Sequence, residues 1–204
     1  MIVLYTDATP NGRRVSVMLE EAGLSYQVHR VRLRRGEHRR REYLQINPAG
    51  QIPTIVDSEG PEGTKLVLTQ TTAILIYLAE KTGRLICTDP LERTRMWEWL
   101  ALDATDIAPT RFDAFWLTIK GDELIQKGAD ILRDRVMNFY RLMNRHLGDN
   151  KYLAGDTISI ADISTYPWAV SMDHPYMLEL KNLHRWMHMI GERRAVQIGM
   201  SVPE

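Results

Sequence analysis

The feature that most limits what this chain can fold into is a change of texture between residues 80 and 90. Ahead of it, short β-prone runs alternate with helical patterns; behind it, strand signals nearly vanish and apolar residues recur every three or four positions. In the first stretch "IVLY" at 2–5 is β-prone, and Val15, Met18, Leu19 and Ala22 then step as a helix that Gly23 is placed to cap. "YQVHRVRL" at 26–33 reads as a strand, with Tyr26, Val28, Val31 and Leu33 only partly in phase. "QIPTIVD" at 51–57 and "KLVLTQ" at 65–70 are two more, the second followed by a helix carrying Ala73, Ile74, Tyr77 and Leu78. Strand, helix, strand, strand, strand, helix predicts a small α/β layer with a mixed sheet.

The second stretch predicts helices over 91–107, with Trp97, Leu100, Ala101 and Ala104 on one side, and over 123–147, where Ile125, Ala129, Leu132, Val136, Phe139, Met143 and Leu147 form an apolar stripe. "TISIADISTYPWAV" opens a third helix with a capping-box pattern, Ser159 and Asp162, and "LKNLHRWMHMIGERR" supplies a fourth. The expected division is an α/β domain over 1–82 and an all-helical domain over 88–204.

Charge and composition narrow the function classes. Lys plus Arg equals Asp plus Glu at 26 each, so no overall field favours nucleic acid or an anionic membrane. No apolar run approaches the length of a membrane span, and the N-terminus shows no signal-peptide pattern, so a cytoplasmic protein is expected. Cys87 is the single cysteine of the chain and has no partner for an internal disulfide or a metal site.

Two places carry the residue types an anion needs. "TPNG" at 9–12 reads as Thr9 capping a helix with Pro10 at its first position, which is a sufficient structural account. The same hydroxyl, the Asn11 amide and the free N–H groups of a helix start also suit a bound anion, and the residues alone leave both readings open. Gln70 and Thr71 end a strand and open a helix, a second natural place for a carboxylate. Between them, residues 28 to 42 hold seven Arg against two Glu, a pattern typical of a solvated face that also attracts anions.

"NPAGQIPTI" at 47–55, "LTQTTAILIYLAEKTG" at 68–83 and "SIADI" at 159–163, in that order behind an α/β half, make the chain resemble a cytosolic glutathione transferase over essentially its whole length. The opening "LYTDATPNGRRVSVMLEEAGL" is most similar to the Nu-class branch, related to glutathione-dependent disulfide-bond oxidoreductases.

The resemblance implies a thioredoxin-like N-terminal domain, an all-α C-terminal domain, a homodimer, and glutathione as co-substrate with no metal. It implies that Thr9 and Asn11 flank the glutathione sulfur and stabilise its thiolate. The Ile52 main chain, ahead of a cis Pro53, would pair with the cysteinyl part. Gln70 and Thr71 would read the γ-glutamyl group, and His38 and Gln51 the glycyl carboxylate. Asp103 is a candidate to meet the glutathione amine across a dimer interface, and Phe112, Phe115, Trp116 and Trp168 are candidates for an apolar second-substrate wall. Tyr5 is expected to be structural. The implied activity is disulfide or peroxide reduction, conjugation to a hydrophobic electrophile, or both, with a non-catalytic binding protein as the alternative.

Overall fold

The computed structural model describes residues 1–120, 122–172 and 174–204. The chain forms two compact units, Met1–Leu85 together with Gly191–Glu204, and Ile86–Ile190. Among the described residues no helix is long and apolar enough to cross a membrane.

The first unit is built on a four-stranded sheet in the order β2-β1-β3-β4: β1 (Ile2–Thr6), β2 (Tyr26–Arg30), β3 (Thr54–Asp57) and β4 (Leu66–Thr69). β1 runs parallel to β2, β3 antiparallel to β1, and β4 antiparallel to β3. α1 (Pro10–Ala22) follows β1, the one-turn α2 (Arg41–Leu44) precedes β3, and α3 (Thr71–Thr82) follows β4. The period-2 alternation of β1 buries Ile2, Leu4 and Thr6. Val15, Val17, Met18 and Leu19 of α1 and Ile74, Leu75 and Leu78 of α3 are fully buried too. Each such side chain contributes about 1.5–3 kcal/mol by leaving water, and that burial holds the layer together.

At the far end of this unit Asp57 is buried, accepting from the Glu59 N–H at 2.9 Å and the Tyr77 hydroxyl at 2.7 Å, with Lys81 Nζ at 2.8 Å. Burial alone would raise the carboxyl's pKa; the Lys81 ammonium and the other donors bring it below the usual value. A carboxylate with a depressed folded pKa stabilises the fold above its unfolded pKa of about 3.9, and that contribution is lost as pH falls through the folded value. Acid titration followed by circular dichroism is therefore expected to show unfolding setting in below about pH 4, with a flatter acid limb in Asp57→Asn.

α9 (Arg194–Ser201) belongs to the first unit, against the expectation that everything from 88 to 204 is one helical domain. Gly199 allows it: a Cβ there would stand 2.5 Å from Val17 Cα, so only a glycine lets α9 lie this close to α1. Ser16 Oγ then donates to the Gly199 carbonyl at 2.6 Å, and Arg193 makes two bonds to Glu21, at 2.6 and 2.7 Å.

The second unit contains α4 (Pro90–Leu102), α5 (Ala108–Lys120), α6 (Glu123–Asp149), α7 (Ile160–Val170) and α8 (Lys181–Gly191). The helix expected over 91–107 is present as α4 and one π turn at Asp103–Ile107, and the chain continues as α5, which the sequence pattern did not assign. Pro109 accounts for both the π turn and the unassigned helix. It interrupts the helical pattern, and it lacks the N–H that would bond the carbonyl four residues back; a wider turn ahead of it absorbs the missing bond. Ile160 to Ala169 are all buried, so α7 is the interior helix of this unit, opened by the expected Ser159–Asp162 capping box.

Candidate active site

Strand register gathers the sequence-selected residues of the first unit at one end of its sheet. Tyr5 pairs with Thr54, and Thr54 with Thr69. The segments after β1 (Thr9–Gly12), before β3 (Gln51–Pro53) and after β4 (Gln70–Thr71) therefore leave the same edge. With neighbouring strands about 4.8 Å apart, these three segments start within about 10 Å of one another. β2 ends there too, Thr6 pairing with Arg30, which brings in the segment containing His38.

Thr9 is the N-cap of α1, with extended backbone (φ −127°, ψ 158°) and Oγ1 accepting from the Gly12 N–H at 3.1 Å. That bond uses a lone pair and leaves the hydroxyl hydrogen, which makes no hydrogen bond among the described residues. Asn11 accepts at Oδ1 from Arg14 at 3.2 Å and keeps its NH₂ for another partner. The capping reading and the anion reading are thus compatible in one geometry.

Gly12 makes this turn possible. A Cβ on it would lie 2.3 Å from Thr6 Oγ1 and 2.4 Å from the Asp7 carbonyl oxygen, a backbone atom that cannot simply rotate away. Gly12→Ala is expected to cost about 1–3 kcal/mol of stability by overpacking. Thermal melting would measure the loss.

The Ile52–Pro53 peptide bond is cis, as expected. Neither the N–H nor the carbonyl of Ile52 has a hydrogen-bond partner among the described residues, so this short extended stretch can pair with an added strand. What holds it was not foreseen. The Gln51 carbonyl accepts from the Tyr43 hydroxyl at 2.5 Å and from Asn47 Nδ2 at 2.8 Å, and both donors also reach Thr54 Oγ1, at 3.0 and 3.2 Å. Tyr43, Asn47 and Thr54 are all buried. Burial holds the Tyr43 phenol above its ordinary pKa, which keeps it a donor. The signal was present in "NPAGQIPT": an Asn-Pro turn in which Asn47 Oδ1 accepts from the Ala49 N–H at 3.1 Å.

Gln70 is exposed and has φ +69°, ψ 114°, a conformation that L side chains rarely adopt. The surrounding strand and helix impose it, and strain of this kind costs on the order of 1–3 kcal/mol. No side chain caps α3, so the N–H groups at its start, beginning with buried Thr71, remain available to a carboxylate. His38 is half-buried, its Nδ1 is buried without a hydrogen bond, and its carbonyl lies 2.9 Å from where a Gly50 Cβ would be. This puts His38 beside Gln51, whose side chain is exposed.

Tyr5 packs its ring against His29 at 4.9 Å and Tyr43 at 6.1 Å, the structural role expected for it. The Arg-rich segment is partly neutralised locally, Arg30 meeting Asp7 at 3.1 Å and Arg32 and Arg40 meeting Glu37 at 3.7 and 3.8 Å.

In the second unit, Asp103 is corrected. It is 0 % exposed and accepts from the Ser164 hydroxyl at 2.6 Å, so its carboxylate is committed to the interior and not presented to a partner chain. Of the four wall candidates, Phe112, Phe115 and Trp116 are exposed on α5, whereas Trp168 is buried beneath the Arg111 guanidinium. Cys87 is buried, and burial pushes its thiol up to about 11, an unreactive value.

A family profile described as the glutathione S-transferase N-terminal domain matches residues 8–81, and one for the C-terminal domain matches residues 98–188. The chain belongs to the glutathione S-transferase family. Disulfide-bond oxidoreductase YfcG of Escherichia coli is 35% identical over 169 residues, covering 82% of this chain and 79% of its own. The fold also matches a Pseudomonas putida glutathione transferase solved with one glutathione disulfide per subunit (TM-score 0.92, 30% identity, 100% of this chain and 92% of the other). A Burkholderia graminis transferase solved with two glutathione molecules per subunit matches similarly (TM-score 0.92, 32% identity, 100% and 88%). The fold is accordingly the thioredoxin-like plus helical arrangement of this family.

Proposed function

We propose that this chain binds glutathione at the sheet end described above, stabilises its thiolate with the Thr9 hydroxyl and the Asn11 amide, and uses it to reduce small disulfides. In this reading Gln70, Thr71 and the open start of α3 take the γ-glutamyl carboxylate. The Ile52 main chain pairs with the cysteinyl residue, and His38 and Gln51 take the glycyl end. The observation that carries it is the register: Thr9, Ile52–Pro53 and Gln70 leave one edge of the sheet, each with an unused donor or acceptor.

The chemistry follows from the thiol. At an ordinary pKa of about 8.5 only a few per cent is ionised near neutrality, so each donor aimed at the sulfur raises the reactive fraction. The thiolate attacks one sulfur of a disulfide, forming a mixed disulfide and expelling the other half as a thiolate that takes a proton from water. A second glutathione thiolate then attacks the glutathionyl sulfur, releasing glutathione disulfide and the second thiol. Two glutathiones supply the two electrons. The protein provides no sulfur of its own, consistent with the buried, unreactive Cys87. The relatives crystallised with glutathione disulfide or with two glutathiones support this choice over simple conjugation. A homodimer in the cytoplasm is the expected setting, with sedimentation giving twice the 23.6 kDa chain mass.

The deciding experiment assays glutathione-dependent reduction of hydroxyethyl disulfide beside conjugation to an activated aryl halide. Reduction exceeding conjugation is expected; conjugation without reduction would overturn the disulfide preference. Absence of calorimetric binding of both glutathione and its disulfide would leave a non-catalytic binding protein.

A further inference from the structure

Arg14 lies in α1 and is 2 % exposed, a costly place for a guanidinium. Its Nη1 donates to Asn11 Oδ1 at 3.2 Å, one helical turn back.

The consequence lies in the symmetry of an Asn side chain. Its two ends have nearly the same shape but opposite chemistry, an oxygen that accepts and an NH₂ that donates. A guanidinium stays charged at every relevant pH and only donates, so the atom it faces must be the oxygen. The Asn11 side chain makes no other hydrogen bond among the described residues. Without Arg14, the free N–H groups and positive field of the helix start give the oxygen other places to turn, and an amide turned round sets an acceptor against an anion.

We infer that Arg14 is the positioning residue of the thiol site: by holding Asn11 Oδ1 it directs the Asn11 NH₂ toward the glutathione sulfur. This rests on the assignment of Asn11 to the thiol made above.

The test measures the thiol pKa of bound glutathione from its ultraviolet thiolate absorbance, and in parallel the affinity for S-methylglutathione, which has no ionisable thiol. Arg14→Gln keeps a polar partner of similar length but accepts as well as donates, so it no longer selects the amide orientation. It is expected to raise the bound thiol pKa by about one unit, lowering turnover near neutral pH about ten-fold, while S-methylglutathione affinity stays within about two-fold. Arg14→Lys, again donor-only, should restore the lower pKa. Arg14→Gln added to Asn11→Ala should raise it no further than Asn11→Ala alone.

An unchanged pKa in Arg14→Gln, an equal loss of S-methylglutathione binding, or additivity with Asn11→Ala overturns the inference. A measurement on the unaltered protein covers the case in which Arg14→Gln does not fold. The Asn11 side-chain NH₂ resonance should shift on adding glutathione and stay in place with S-methylglutathione, and equal behaviour with both ligands overturns the inference. If Asn11→Ala itself leaves the thiol pKa unchanged, the thiol assignment fails, and this inference with it.

Discussion

Thr9→Ala is expected to lower glutathione-dependent turnover near neutral pH about 10- to 30-fold and to move the acid limb of the pH–rate profile upward. A charge-assisted hydrogen bond to a partly buried anion contributes about 1.5–3 kcal/mol, equivalent to one to two units of the thiol pKa. With the hydroxyl gone, the thiol returns toward its free value. Its charged fraction at neutrality falls accordingly, and the rate keeps climbing to higher pH.

The same substitution removes the cap of α1, since the Gly12 N–H loses its acceptor, and this costs about 1 kcal/mol of stability. The two effects separate in Thr9→Asp. A carboxylate caps a helix at least as well as a hydroxyl, so the melting temperature should hold. It cannot donate to sulfur and repels a thiolate, so turnover should fall at least as far as in Thr9→Ala. Thr9→Ser should keep both properties. Full activity in Thr9→Asp would remove Thr9 from the chemistry and leave it only as a cap.

How much of this was legible in the amino-acid order depends on the range of the interaction concerned. The Thr9–Pro10 helix start and the Ser159–Asp162 box are written within three or four residues, and both appear as read. The positive φ of Gln70 had no local announcement, because no Gly, Asn or Asp stands there; the strand before and the helix after impose it. The Tyr43–Asn47–Thr54 support of Gln51 joins residues up to 11 positions apart across a loop, so its members look like ordinary polar residues until the chain closes. α5 was hidden by Pro109, which punctuates a sequence strongly and a structure weakly when a π turn precedes it. Asp103 was misjudged for a related reason. An acidic residue on a helix reads as exposed, and only the opposing Ser164 hydroxyl reveals that it faces inward. The candidate donors are legible one by one in the sequence; the contacts that hold them in place are not.

Asp162 tests that distinction most sharply, since it was read from the sequence as a capping residue and is expected to matter more to the fold than either Thr9 or Asn11. Its carboxylate is 0 % exposed and accepts four hydrogen bonds: from the Leu153 N–H at 3.0 Å, the Trp186 indole N–H at 2.8 Å, the Ser159 N–H at 2.9 Å and Ser159 Oγ at 3.2 Å. Burial raises its pKa above the ordinary carboxylate value, and the donors offset only part of that rise. Three of the four are N–H groups that can only donate, so the oxygens they face must accept. The one side chain therefore ties the start of α7, the loop at Leu153 and α8 together. Asp162→Ala leaves three N–H donors buried without a partner, at about 1–3 kcal/mol each, against a typical total stability of about 5–15 kcal/mol. Most of the protein is then expected to be unfolded or aggregated at 37 °C. Asp162→Asn should fare little better, because its NH₂ would face either the Leu153 and Trp186 N–H groups or the Ser159 N–H, donor against donor. Chemical denaturation of both variants measures this, with Ser159→Ala as the milder comparison at about 1 kcal/mol. A loss below about 2 kcal/mol in Asp162→Ala would mean that water or another acceptor replaces the carboxylate, and α7 would then be held by its apolar contacts alone.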